Sequence, residues 1–286
     1  MKARILILIA LLAPVAAMPQ GFLGRSEIVF AAGGMNYTGD LNNQSLFGRP
    51  NLAASVGLRY HLNNRLATTA MAAYGHIEGG NPDAIELRNL SFRSPVAELT
   101  LRIEFNFFAY GTGATDRLWT PFIFAGLGAF HFNPRTSYPD QDGNPVWVDL
   151  QPLGTEGQNL PSYSDRVRYT LTQMCLPFGL GVRMKLSRHV SVSAEYGLRA
   201  TWTDYLDDVS TTYVGSAALS AGSPDGGLAA RLADRSGEVR AGYVNAPGIK
   251  RGDDSLCDWY QLFTLTFSVN LDPLLGWTRS RRCLER

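Results

Sequence analysis

Two side chains in this 286-residue sequence have the types and spacing of a base and a nucleophile: His189 and Ser191. Residues two apart on a strand share a face, so the imidazole could activate the hydroxyl for acyl transfer on a lipid. The pair directly follows a tight turn at Ser187-Arg188. If the strand belongs to a membrane barrel, that is the periplasmic end, away from an outer-leaflet substrate, and His189 reads better as a turn residue. His61, His76 and His131 are dispersed, with no HExxH spacing and no paired-carboxylate signature. Cys175, Cys257 and Cys283 lack the CxxC or His-interleaved spacing that holds a metal. The expectation is a non-enzymatic chain with no metal and no cofactor. An exported chain permits a disulfide, and the topology below favours Cys175 with Cys257, leaving one thiol over. Arg251-Gly252-Asp253 spells an adhesion tripeptide, but three residues recur by chance.

The charges tell more, because they fall on one face of each element. Over residues 96–107, Ala97, Leu99, Leu101, Ile103, Phe105 and Phe107 alternate with Glu98, Thr100, Arg102, Glu104 and Asn106. Residues 176–186 set Leu176, Phe178, Leu180, Val182, Met184 and Leu186 against Pro177, Gly179, Gly181, Arg183 and Lys185. Residues 190–203 and 263–271 repeat the arrangement, with Glu195 and Arg199 on the polar side of the former. A period of two with one apolar face predicts half-buried strands. Four weaker strands are expected near residues 27–36, 52–61, 66–77 and 119–132. The last is apolar on both faces, so its orientation is not legible. Eight is an even number, as single-chain bacterial barrels require.

Composition excludes several classes. The 26 Lys+Arg against 25 Asp+Glu give a net charge of +1, without the basic face a nucleic-acid binder needs. No run of 18 apolar residues exists, so no transmembrane helix is expected. The N-terminus carries Lys2 and Arg4, then nine apolar residues from Ile5 to Ala13, then small residues at Ala16 and Ala17. It reads as a secretory signal peptide over residues 1–17.

Three features favour a membrane barrel over a soluble sandwich. The clear segments run about 11–14 residues, matching a tilted membrane strand of roughly 9–11 plus its ends. Short connections at Asn63-Asn64, residues 111–118 and Ser187-Arg188 alternate with long ones at residues 37–51, 78–95, 133–168 and 206–258, as periplasmic turns alternate with extracellular loops. Aromatic residues gather at both ends, Tyr60, Phe107, Tyr110 and Trp119 at one and Tyr74, Phe132, Tyr169, Trp202, Tyr205, Trp259 and Tyr260 at the other, suggesting two interfacial girdles. The fold class expected is all-β: an eight-stranded antiparallel transmembrane β-barrel of the bacterial outer membrane, with a filled polar lumen and long extracellular loops. The barrel would span residues 18–271, with a periplasmic tail over 272–286. Its lumen would hold Arg59, Glu98, Arg102, Glu104, Arg183, Lys185, Glu195 and Arg199 as a charge network of both signs, because eight strands leave room for side chains and little else. Outer-membrane lipid would be the partner outside.

Several motifs resemble a known family. Asn36-Tyr37-Thr38-Gly39-Asp40-Leu41, Arg88-Asn89-Leu90-Ser91-Phe92-Arg93-Ser94-Pro95, Glu104-Phe105-Asn106-Phe107-Phe108, residues 121–134, residues 150–158 and residues 177–214 with Thr203-Asp204-Tyr205-Leu206-Asp207-Asp208-Val209-Ser210 follow one another in the order seen in PorG, the outer-membrane barrel component of the type IX (Por) secretion system. The resemblance implies a non-enzymatic accessory barrel that docks periplasmic ring subunits, a lipoprotein and its companion, at the outer membrane. Docking from that side would use the short turns and tail: Asn63, Asn64, Arg65, Asp116, Arg117, Arg188, His189, Trp277, Arg279 and Arg281. On the same topology Asp204, Asp207 and Asp208 are expected as hydrogen-bond acceptors inside the extracellular loops. The other readings are a small passive channel, an adhesin-like barrel and, last, a lipid-modifying enzyme.

Overall fold

The computed structural model describes residues 25–42, 50–80, 88–110, 117–158, 160–223 and 225–271. The expected signal peptide, Asp116, and the tail with Trp277, Arg279, Arg281 and Cys283 lie outside these residues. Ten strands form: β1 (Ser26–Thr38), β2 (Asn51–His61), β3 (Leu66–Gly80), β4 (Ser91–Asn106), β5 (Trp119–Phe132), β6 (Arg135–Pro139), β7 (Pro145–Asp149), β8 (Thr172–Lys185), β9 (Val190–Thr201) and β10 (Trp259–Asn270). All pairings are antiparallel, in the order β3-β2-β1-β10-β9-β8-β5-β4, and β3 pairs with β4 to close the ring. Eight staves therefore make a barrel without an open edge. The β6–β7 hairpin hangs from β4 through one pair, Arg93 with Arg135.

The alternation in the sequence becomes an inside and an outside. On β4, Glu98, Arg102 and Glu104 are buried, while Leu99 and Leu101 are 64% and 60% exposed. The same holds on β8, β9 and β10, where Leu180, Val182, Phe263 and Leu265 face outward. β5, whose faces could not be told apart, turns Phe122, Phe124, Phe130 and Phe132 inward and Trp119, Ile123 and Leu127 outward. Its phenylalanines fit because the facing strands carry glycine. A Cβ added at Gly179 or Gly197 would come within 2.7 or 2.8 Å of the Phe124 ring.

The long loops carry structure of their own. The third long connection folds as the β6–β7 hairpin. The fourth forms α1 (Ser216–Gly222), α2 (Gly226–Ala233) and α3 (Ser236–Val239). These helices are too short for a 3.6-residue period to register in sequence. Leu206, Val214, Leu219, Leu232 and Ala233 join Leu150, Leu153 and Leu160 and pack onto Met35, Ile77, Phe92 and Phe132 at the barrel mouth. The extracellular end is thus closed by a hydrophobic cap.

That cap corrects the aromatic reading. Phe132, Tyr169 and Tyr260 are buried in the interior and belong to no girdle. Tyr169 stacks between Phe132 at 6.1 Å and Tyr205 at 4.8 Å, and Phe130 meets Tyr260 at 5.3 Å. Of the outer-end set, Tyr74 and Trp202 project outward with large exposure. At the other end Tyr110 is also buried, beneath the lumen, and only Phe107 and Trp119 of that set are largely exposed.

Candidate functional site in the lumen and at its two mouths

The polar faces of the staves converge on one ion-paired group. Glu104, from β4, accepts hydrogen bonds from Arg59 Nε at 3.0 Å, Arg102 Nε at 3.0 Å, Arg183 Nη2 at 2.6 Å and the Thr69 hydroxyl at 2.7 Å. Arg59 also binds Glu27 at 2.9 Å, and Arg102 binds Glu195 at 2.7 Å. Higher up, Arg199 holds Glu98 through two nitrogens at 3.0 and 3.2 Å, and the Tyr260 hydroxyl donates to the same carboxylate at 2.6 Å. Counted among the described buried residues, Arg59, Arg102, Arg183 and Arg199 face Glu27, Glu98, Glu104 and Glu195, four charges against four. Each of these buried ions is thus paired with at least one of opposite sign.

Aromatic rings complete the packing. The Arg102 guanidinium lies 4.4 Å from the Phe124 ring centre and that of Arg183 4.3 Å from Phe122. Between the two ion-paired tiers a residual cavity lined by Thr100, Met71 and Thr264 has room for about one or two waters.

Seven of the eight lumen candidates meet in these tiers. Lys185 does not: it sits half-buried at the periplasmic mouth with Nζ 4.9 Å from the Tyr110 ring. Two members were missed. Glu27 pairs with Arg59, and His61 places Nε2 2.9 Å from Glu27. Both share the face of Arg59, but β1 continues it with Val29 and Ala31, which hid the pattern.

The outer surface decides where the barrel sits. Leu99, Leu101, Ile103, Leu127, Leu180, Phe263 and Leu265 form an exposed apolar belt at mid-height on a closed sheet whose charges at that height are inside, an arrangement that water would not sustain. The chain is a bacterial outer-membrane β-barrel. A family model described as a domain of unknown function (DUF6089) matches residues 3–144. No curated protein matches the chain. Similar solved structures include neisserial surface protein A, 10% identical over 86% of this chain and 96% of that one with a TM-score of 0.38. The attachment invasion locus protein Ail of Yersinia pestis is 8% identical over 85% and 96%, also at 0.38. OprG of Pseudomonas aeruginosa is 11% identical over 88% and 100%, at 0.37. The assignment rests on strand order and the two faces of the barrel.

At the extracellular mouth, distant segments meet around buried acids. The Tyr37 hydroxyl donates to Asp207 at 2.5 Å and Asp258 at 3.1 Å. Asp208 accepts from the hydroxyls of Thr155 at 2.5 Å and Tyr169 at 2.8 Å. Glu156 accepts from the amides of Ser210 and Thr211 and from Arg251 Nη1 at 2.8 Å. Motifs singled out near residues 36–41, 150–158 and 203–210 thus share one network. Arg251 is fully buried, so the Arg251-Gly252-Asp253 tripeptide is not presented as an adhesion loop would present it.

Burial pushes the carboxyl of Asp208 up to about 6, and burial with the neighbouring charges of Asp40 and Glu156 pushes Asp204 up to about 7. Asp207 and Asp258 are raised well above the usual range, first by burial and also by neighbouring carboxylates. Burial opposes the charge of Glu156, but Arg251 and the Thr211 hydroxyl outweigh it and hold that carboxyl below the usual range. Groups raised on folding bind protons more tightly in the folded cap, so the contribution of Asp208 and Asp204 is full below about pH 4 and is lost as pH rises through about 6 and about 7. Glu156 acts oppositely, only below about pH 4. The cap should therefore be tightest near pH 5. Limited proteolysis within residues 202–258, normalised to an unfolded reference peptide, should be slower at pH 5 than at pH 8. Equal rates would contradict this.

The periplasmic mouth is built from tight turns. Asn63 Oδ1 accepts from the amides of Arg65 and Leu66, and the Asn64 carbonyl accepts from the Tyr110 amide at 2.6 Å. Arg65 donates to the Phe107 carbonyl at 3.0 Å, and Arg117 lies over the Phe108 ring at 5.4 Å. Asn64, Arg65, Arg117, Arg188 and His189 are all exposed, on three different turns. His189 and Ser191 do not form a pair of the kind first considered. Ser191 faces the lumen and shares a 2.6 Å hydrogen bond with Ser268, while His189 stays in the turn, its amide donating to Ser187 Oγ.

The expected disulfide is absent. Cys175 and Cys257 are both free thiols. Cys175 points into the lumen, 3.6 Å from the Tyr260 hydroxyl, whereas Cys257 is exposed in the loop before β10.

Proposed function

We propose that this barrel is a non-enzymatic accessory scaffold of the type IX protein secretion machinery, holding periplasmic ring subunits, a lipoprotein and its companion, at the outer membrane. The observation that carries this reading is the filled lumen: four interlocked ion pairs leave the ends of the barrel, and not its bore, to act. The motif resemblance supports the same machine. A sealed cylinder of this kind serves as an anchor beside a conduit and not as the conduit. The periplasmic turns then make the contact, with Asn63, Asn64 and His189 among the exposed candidates at their tips.

The test is a photo-activated cross-linking residue placed at Asn64 or His189 in the native membrane. The expected product joins this chain to a ring subunit, and adducts to no periplasmic protein from either turn would count against the scaffold. In planar bilayers the purified barrel should carry no single-channel current, and steady current would favour the passive-channel reading instead.

A further inference from the structure

Among the described residues, the exposed charges at the periplasmic end are of one sign, one to each junction. The eight staves have four junctions there: the turns β2–β3, β4–β5 and β8–β9, and the seam where β10 meets β1. Each carries an exposed arginine, namely Arg65, Arg117, Arg188 and, at the seam, Arg25. No exposed carboxylate accompanies them among the described residues of this end, where Glu27 is buried against Arg59 and His61. The opposite end mixes signs, as in the exposed pairs Arg135–Asp149 and Lys250–Asp253.

Beside the arginines stand apolar side chains that point away from the barrel. Leu62, Phe107, Leu118, Trp119 and Leu186 are each about half exposed or more. Arg25 reaches the Leu62 carbonyl at 3.5 Å and Arg65 the Phe107 carbonyl. Arg117 and Arg188 sit one or two positions from Leu118 and Leu186. An apolar side chain in the acyl region with a cation just beyond it is the arrangement by which a protein meets the phosphate layer of a bilayer.

We propose that the periplasmic rim is a binding collar for the phosphate headgroups of anionic phospholipids in the inner leaflet. A leaflet surrounds the barrel on every side, and so do these arginines, whereas an acidic protein would be matched by a one-sided patch. Guanidinium forks suit phosphate oxygens. The collar fixes the depth at which the barrel rides and leaves Asn64 and His189 for contacts below the membrane.

The test compares unfolding rates in urea for the mature chain in vesicles of phosphatidylcholine alone and of phosphatidylcholine mixed with phosphatidylglycerol. Phosphatidylglycerol should slow unfolding of the parent on the order of tenfold at low ionic strength, with the difference shrinking in high salt. The variant R25Q/R65Q/R117Q/R188Q should lose the difference between lipids, whatever its rate in phosphatidylcholine. Should it not fold, Arg117→Gln and Arg188→Gln singly should each reduce the effect severalfold. A parent indifferent to phosphatidylglycerol, or variants that respond as the parent does, would overturn the collar. So would a quadruple variant that keeps its lipid response but no longer cross-links through Asn64 or His189. Loss of cross-linking in the parent bears on the scaffold alone.

Discussion

Replacing Glu104 by alanine should destabilise the barrel by about 3–5 kcal/mol, the range for removing one partner of a buried ion pair. Glu104 is fully buried and receives three guanidinium groups and one hydroxyl. Without it, Arg183 keeps one hydrogen bond, at 3.3 Å to the Asn106 amide oxygen, and no carboxylate partner, and Arg59 and Arg102 keep Glu27 and Glu195 as their carboxylates. The lumen would carry one net positive charge, with room for only about one or two waters beside it. The midpoint of urea unfolding in bilayers should fall with the slope unchanged. Adding Arg183→Met should recover part of the loss, because it removes the orphaned charge and leaves its volume filled. A loss under about 1 kcal/mol, or no recovery, would mean that the lumen admits water and is no plug.

Arg251→Ala should act on the cap and spare the staves. Arg251 binds Glu156, the Asp208 carbonyl at 2.5 Å and the Ala233 carbonyl at 3.2 Å, so one side chain joins the fourth loop to the third and to α2. Truncation leaves Glu156 buried without its cation, and about 3–5 kcal/mol of local stability should go with it. Cap opening is a sub-global event, so amide exchange in residues 202–258 should accelerate by two to three orders of magnitude while exchange in β4 and β9 is unchanged. Uniform acceleration throughout the chain would show that cap and barrel unfold as one unit.

The strands were legible wherever charge and grease alternated. On β4 and β9 the polar face carries Glu98, Arg102, Glu104, Glu195 and Arg199, and a one-residue slip would drive them into lipid at roughly 2–4 kcal/mol for each arginine at mid-depth and less for each glutamate. β5 hid its faces because its inward rings, Phe122 and Phe124, are the platforms under Arg183 and Arg102, a role that only the opposing strands reveal. The outer aromatics were misjudged for a related reason. Tyr260 lies on the same side of β10 as Thr264 and Thr266, so its parity already pointed inward, but position along the strand was weighed above parity. Arg251 and Glu156 were invisible as partners, since nothing local links residues so far apart in the chain. The short periplasmic turns are legible from connection length alone, which locates them without saying what each side chain does.

The first and last staves pair with one another along nearly their whole length, Glu27 opposite Asn270 through Thr38 opposite Trp259. Until residues near the C-terminus emerge, every nascent form has two raw sheet margins and a half-built bore whose glutamates lack some of their arginines. Assembly must therefore wait for the finished polypeptide and be guarded in the meantime, and a premature stop anywhere before Trp259 yields an aggregation-prone fragment, not a smaller barrel.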